Sequence, residues 1–462
     1  MRTLLARAKK ASVGMAEDTL LCLSAPLSLS SPVRALVDSF PSTLTSYYAP
    51  PARVADFACI SLGQAVRIDQ DGGSAISQVK ARAAQIETQL VCLRAEACDA
   101  APQPRLFGGF RFAPDATRQS ADDPWHAFAD ASFVLPRWTV FVREHESYVQ
   151  LVIRPAELSA AERLLEELDR IEHAAQGSSG NPSPVCGGDF VQTEQPSQAE
   201  YCAMVAAALA EIHAGVLQKV VPARRLQIDS SALFSLSQTL ARLEDSYSDC
   251  CRFAICRDGS HMVGATPELL FHKRGQTLRT EALAGTRARR AELDDKQLVR
   301  ELMSDDKEQR EHAHVISAIA SELHPHCESD PQVGQTTIRT LRNVHHLCTP
   351  IAARLKQSTH LLDLVAALHP TPAVGGLPRD RAAQFLSTQE PFSRGLYAAP
   401  VGYFDLAGDG AFWVAIRSAL ICGSRAWLYA GAGVVAGSIA QKEWAETNAK
   451  CSAMRSALGV TI

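Results

Sequence analysis

The chain has 462 residues, of which 46% are hydrophobic and 21% charged, and a net charge of −4. That is the composition of a soluble globular protein with a large core, and length alone allows two or three domains or one large β-rich body. No apolar run approaches the roughly 20 residues that span a bilayer, and no basic stripe with interleaved aromatics marks a nucleic-acid binder, so neither a membrane nor a nucleic acid is an expected partner.

The 13 cysteines are scattered and include no C-x-x-C pair. Cys250 and Cys251 are neighbours, and a bridge between them would be strained. The pattern predicts reduced, mostly buried thiols and a cytoplasmic protein. The opening stretch MRTLLARAKKASVGMAEDTLLCLSAPLSL has early basic residues and a later apolar patch, but Glu17 and Asp18 interrupt it. It reads as mature sequence rather than a signal peptide.

Further along, RLFGGFRF and ASFVLPRWTVFVREHESYVQLVIR alternate as strands do. AELSAAERLLEELDRIEHAA has the spacing of an amphipathic helix. GSSGNPSPVCGG then runs into a polar stretch and has turn and linker chemistry. The organisation read from this is an N-terminal portion 1–176, a linker or surface loop 177–194, and a catalytic portion 195–462. A second helix, EYCAMVAAALAEIHAG, follows the linker.

The segments that can carry chemistry come next in the chain. VLQKVVPARRL predicts a strand holding Lys219, with Pro222 near its end or on an edge. A lone strand lysine is usually solvated; it becomes a base only if desolvation or nearby positive charge lowers its pKa. In MVGATPELLFHKRG, a T-P-E turn can hold Glu268 at a strand end or leave it in solvent. In LRTEALAGTRARR, Gly285 and Thr286 offer a backbone N–H and a hydroxyl to an anion. SDDKEQREHAHVISAIASEL predicts a helix with apolar positions 315, 316, 319 and 323 on one side and Glu308 and Glu311 together on one face. In LRNVHHLCTPIAARL, one of His345 and His346 suits a core and the other solvent. No cysteine or histidine partners have zinc spacing. LHPTPAVGGLPRDRA, which contains Ala373, predicts an irregular pocket-lining loop.

Near the C-terminus, GLYAAPVGYFDLAGDGAFWVAIRSAL places Tyr397 and Arg417. The run LYAGAGVV then sets Gly431 and Gly433 at the end of an apolar strand. Ser438 and Gln441 match the S-x-x-Q capping box, which predicts a helix start there. Glu443, Glu446 and Lys450 share one face of that helix. The second Glu-x-x-Glu pair makes an oxygen site for Mg²⁺ more plausible than two unrelated solvated faces.

Nine motifs occur in order over residues 195–462: QKVVPAR, GATPEL, EALAGTRA, KEQREHAHV, VHHLCTPIAARL, LHPTPAVGGLP, RGLYAAPVGYFD, GDGAFWVAIRSAL and AGAGVVAGSIAQKEWAETNAK. Together they resemble the chorismate-binding enzyme family, and within it the isochorismate synthases. The resemblance implies an α+β fold: a single large body with two packed antiparallel β-sheets and surrounding helices, as in anthranilate synthase component I. It also implies Mg²⁺-dependent isomerisation of chorismate to isochorismate. Residue by residue, it gives Lys219 as general base and Glu268 as general acid. It gives Glu311 and Glu446 as magnesium ligands, with Glu308 and Glu443 nearby or acting through water. Tyr397, Arg417, Gly431, Gly433 and Lys450 hold the substrate carboxylates, and Gly285, Thr286, His346 and Ala373 complete the pocket.

Two departures from the family pattern are Pro222, which puts local strand pairing in question, and Ala399 in place of a common glycine. The chain has no glutaminase nucleophile elbow, so no glutaminase subunit is expected, and the default is a monomer. Salicylate synthase, which adds pyruvate elimination, and a silent chorismate-binding protein remain as alternatives. Ala373, where salicylate synthases resemble one another in having threonine, tilts against the former.

Overall fold

Neighbouring residues of the central strands face opposite cores. Tyr47 and Tyr48 are consecutive, both are buried, and each belongs to a different hydrophobic cluster. Phe253, Ala254, Ile255 and Cys256 repeat the alternation one strand away. Side chains alternate faces along a strand, so a sheet with two apolar faces must be covered on both. The computed structural model describes residues 1–55, 57–96, 98, 101–114, 123–143, 146–177, 189–289, 294–341 and 344–460.

Two large sheets supply that cover. The larger has 12 strands among the described residues, in the order Phe190–Gln195, Ala223–Ser230, Arg425–Gly431, Ser418–Cys422, Ser260–Thr266, Cys251–Arg257, Leu44–Ala49, Ala58–Leu62, Trp138–Arg143, Glu146–Ile153, Leu20–Pro26 and Leu90–Arg94. All its neighbours are antiparallel except the last two. The smaller has 10 strands among the described residues and includes Thr277–Ala288, Val344–Arg354, Leu269–Arg274 and Pro400–Asp405. One apolar cluster fills the space between the sheets, with Tyr48, Phe107, Phe253, Tyr403 and Phe412 among its members. A second lies on the far face of the larger sheet, under helices Arg2–Ala11, Ala161–Gln176, Leu236–Ser246 and Ala440–Leu458. The expected α+β body of two packed antiparallel sheets is what the chain forms. Its N-terminal and C-terminal portions are stitched together in both sheets, by Leu44–Ala49 on Cys251–Arg257 and by Arg105–Phe110 on Pro400–Asp405.

Local expectations hold where the pattern is long and periodic. The two helices flanking the linker are Ala161–Gln176 and Gln198–His213, the second capped by Ser197, whose hydroxyl accepts from the Glu200 N–H. Val315, Ile319 and Leu323 form the buried stripe of helix Asp306–Leu323. Of the stretch read as linker, residues 178–188 lie outside the described residues, and Phe190–Gln195 is an edge strand rather than a connection. The strand expected around Lys219 needs correction too. Lys219–Val220 pairs with Gly376–Leu377, whereas Ala223–Ser230 joins the larger sheet, so the chain changes partners at Pro222. Proline has no N–H to give a ladder; here its carbonyl accepts from Ala432 N and the Tyr201 hydroxyl.

A buried ion pair fixes that crossover. The Arg394 guanidinium donates to Glu390 at 2.8 Å, to the Val374 carbonyl at 2.9 Å and to the Val221 carbonyl at 2.6 Å. Glu390 in turn accepts from the Ala223 N–H at 2.8 Å. Removing one member leaves the other's buried charge without its counter-charge, which costs about 3–5 kcal/mol in buried pairs. Arg394→Leu is therefore expected to lose stability on that scale. Urea unfolding checks it, and a loss below about 1 kcal/mol, the worth of an exposed pair, would contradict it.

Candidate active site

One cavity of about 150 Å³ collects Lys219, Glu268, Gly285, Thr286, Glu311, His346, Ala373, Tyr397, Arg417, Gly431, Gly433, Glu446 and Lys450. These are all but two of the residues expected to form a site. The exceptions, Glu308 and Glu443, stand one step behind the wall. Glu308 accepts from the Thr286 N–H at 2.9 Å, and Glu443 feels the nearby Ser438 hydroxyl.

Each side chain is placed by a local device. Lys219 is buried where its two-residue strand meets the glycine-rich C-terminal run through the Val220–Val434 bridge. Its ammonium is 2.6 Å from Glu311 Oε1 on helix Asp306–Leu323. Gly433 leaves room for that pair: a Cβ there would fall 3.1 Å from Lys219 Cε. Glu268 leaves the solvent through its turn. The Glu268 N–H donates to the Thr266 hydroxyl, and the Glu268 carbonyl accepts from Val414 N. Gly285, at φ +77°, makes the bulge that shifts register between Ala284 and Thr286. A bulge re-aims the residue after it, and the Thr286 hydroxyl meets His346 Nδ1 at 2.9 Å. Arg417 sits at φ +49°, an uncommon conformation for a side-chain-bearing residue. Its carbonyl accepts from Ala265 N. Tyr397 stacks on Tyr429 with ring centroids 5.3 Å apart.

The C-terminal helix starts later than expected. It runs Ala440–Leu458 after Ile439, and no side chain caps it. The Ser438 hydroxyl accepts from Val435 N instead, and the capping box does not form. The shared face is nevertheless present: Lys450 reaches Glu446 at 2.7 Å and the Gly431 carbonyl at 2.8 Å.

A family model described as chorismate binding enzyme matches residues 7–459. The chain belongs to the chorismate-binding enzyme family. The salicylate biosynthesis isochorismate synthase of Pseudomonas aeruginosa is 38% identical to it over 384 residues, 82% of this chain and 79% of that one. The menaquinone-specific isochorismate synthase MenF of Escherichia coli superposes with a TM-score of 0.80 at 27% identity, over 99% of both chains. Anthranilate synthase component I of Streptococcus pneumoniae shares the fold, with a TM-score of 0.71 at 21% identity over 87% of this chain and 92% of that one.

The electrostatics of this chorismate-binding enzyme separate its carboxyl groups. Burial raises Glu268 to about 7, against the pull of the Thr371 hydroxyl and the Lys219 charge. Burial also works against Glu311, but the Lys219 ammonium outweighs it and holds Glu311 below the usual range. Glu308 and Glu443 are raised by burial and by the like charges of Glu311 and Glu446. The two helices feel each other across the cavity: Lys307 acts on Glu443, and Lys450 acts on Glu311. His346 is driven down to about 3 by burial and by Arg417 and Lys450, so it is neutral. His345 is the core histidine, buried and bonded to Thr340 and Asp295.

Several supporting residues escaped the sequence reading. Thr371 bonds Glu268 at 3.2 Å. Arg224, fully buried, reaches Glu194 and the side chains of Thr447 and Asn448 and lies 3.8 Å over the Trp444 ring. Both belong to segments the motifs had already marked, QKVVPAR and HPTPAVGG, and arginine in such a motif was the available signal.

Glu268 gives a testable pH dependence. Its folded value of about 7 lies above the ordinary 4.5, so the folded protein keeps this proton to higher pH than the unfolded chain. Stability then falls as pH rises through that window and levels off above it. Glu268→Gln has no charge to bury, and its stability relative to wild type should improve by on the order of 3 kcal/mol across the window. Urea unfolding at about pH 4 and about pH 8 measures the difference; an equal offset at both would show that Glu268 titrates as an exposed glutamate.

Proposed function

We propose that this enzyme is an isochorismate synthase, adding water at one end of chorismate's allylic system and expelling hydroxyl from the other. The observation that carries the reading is one cavity holding Lys219 and Glu268 together with Arg417 and Lys450. Chorismate has two carboxylates. A guanidinium, an ammonium and the backbone N–H groups beside Gly431 and Gly433 suit them. Water is a poor nucleophile and hydroxide a poor leaving group, so the reaction needs a base and an acid. Glu268, raised to about 7, keeps a proton to donate near neutrality. Lys219 is the candidate to take one from water. His346, being neutral, offers the substrate a hydrogen bond without adding a charge. The names carried by the Pseudomonas and Escherichia relatives support the same product.

The reading also assigns Mg²⁺ to Glu311 and Glu446, with Glu308 and Glu443 behind them. Among the described residues no three metal-ligating side chains are gathered into a ready-made metal centre. The donor chemistry nonetheless fits: all four groups are carboxylates, carried on two helices that act on each other across one cavity. Magnesium prefers such oxygens and keeps waters of its own. When bound, it would neutralise a substrate carboxylate and stabilise charge that redistributes in the ring. Lys219 and Lys450 already hold Glu311 and Glu446. As an ammonium paired with Glu311, Lys219 has no lone pair; it has to leave Glu311 and give up a proton before it can accept one from water.

Chorismate run to equilibrium, with and without chelator, and analysed by chromatography with a pyruvate-coupled readout tests the proposal. The expected result is an isochorismate–chorismate mixture, no pyruvate, and loss of turnover in chelator. Stoichiometric pyruvate and salicylate would make the enzyme a salicylate synthase, and full turnover in chelator would remove the metal. Lys219→Ala should cut kcat by about 10²–10⁴-fold with chorismate binding retained. A near-normal rate would take Lys219 out of the chemistry.

A further inference from the structure

Far from the cavity, the described strand register sets two cysteines directly opposite each other. Cys22 lies on Leu20–Pro26 and Cys92 on Leu90–Arg94, the parallel strand that ends the larger sheet. No other described strand pair matches cysteine with cysteine. In-register residues on neighbouring strands point to the same face and stand about 4.8 Å apart. That lies inside the range of about 4.4–6.8 Å between the Cα atoms of bridged cysteines, and the two side chains have to lean together to bring their Cβ atoms to about 3.5–4.5 Å. Both are free thiols in this structure, and each shifts the titration of the other. Their access differs: Cys22 is buried, whereas Cys92 is exposed on the sheet edge.

We propose that Cys22 and Cys92 form a reversible dithiol that peroxides oxidise to a disulfide, with Cys92 as the attacking thiol and Cys22 as the resolving one. The Cys92 thiolate attacks one oxygen of hydrogen peroxide. The S–O bond forms, the O–O bond breaks, and the departing hydroxide takes up a proton as water. The Cys22 sulfur then attacks the Cys92 sulfur. The S–O bond breaks, and the hydroxyl leaves as a second water with the Cys22 proton. Two thiols are oxidised and one peroxide is reduced.

The local chemistry supports this order. The adjacent Cys22 thiol and the Arg94 charge lower Cys92 against the effect of burial. The Cys92 thiol beside it, and then burial, push Cys22 well up. The thiolate is the form that oxidants meet, and exposure decides which thiolate they reach. The candidate active-site strand Arg425–Gly431 lies near the opposite edge of the sheet. The bridge should therefore tie down the edge strand without altering turnover, by closing a long loop in the unfolded chain.

The test uses the full chain with an equimolar dose of hydrogen peroxide, then alkylation and peptide mapping without reductant. The expected product is a Cys22–Cys92 linked peptide pair, lighter by two hydrogens and reversed by dithiothreitol. Tm should rise by a few degrees, with kcat unchanged. In Cys22→Ser, Cys92 should stop at a sulfenic acid trapped by dimedone, and in Cys92→Ser, Cys22 should stay reduced. Oxidation of Cys92 no faster than of the half-exposed Cys202 and Cys422, or oxidation of wild-type Cys92 to sulfinic acid without a bridge, would overturn the proposal.

Discussion

The arrangement of the cavity depends on the buried pair of Glu390 and Arg394. Each partner is fully engaged. Arg394 ties the carbonyl of Val221, two residues past Lys219, to that of Val374, next to Ala373, and lies 4.3 Å over the Phe112 ring. Glu390 takes the N–H of Ala223, where the chain enters the larger sheet. The candidate base, the pocket loop and the turn before Tyr397 thereby share one anchor. A buried pair of this kind adds little net stability. Its consequence is geometric, because this arrangement brings three segments to one pair of charges.

Arg224 does for the C-terminal helix what Arg394 does for the loop. Its guanidinium grips Thr447 and Asn448 and covers Trp444, which fixes the rotation of that helix about its axis. Glu446 and Lys450 are then turned to the cavity, opposite Glu311. Two helices remote in sequence thus deliver carboxylates and ammonium groups to the same space. Apolar packing holds both helices, and the buried Arg224 sets the orientation of the C-terminal one.

Much of this was legible in the chain. Long periodic stretches such as 156–175 and 304–323 announced their helices, because burial of one face is written into the spacing. The motifs marked the segments that line the cavity, since glycines and charges at turns record close approaches such as that of Gly433 to Lys219. What could not be read depends on partners far away in sequence. The apparent strand through Lys219 divides at Pro222 because two sheets compete for it. The S-x-x-Q pattern at Ser438 fails as a cap because Val435 N already uses the hydroxyl. The turn around Glu268 allows a strand end or solvent, and partners remote in sequence, Thr371 and Val414 among them, decide for burial.

The division of labour between Lys219 and Glu268 makes one demand on the reaction: the oxygen that enters comes from solvent, and the one that leaves is lost. Running the reaction in heavy-oxygen water and weighing the isochorismate by mass spectrometry tests that demand most directly. Water addition at the lysine side predicts one solvent oxygen in every newly formed product molecule. Unlabelled isochorismate would mean that the substrate's own hydroxyl migrates, and would contradict the roles assigned to both residues.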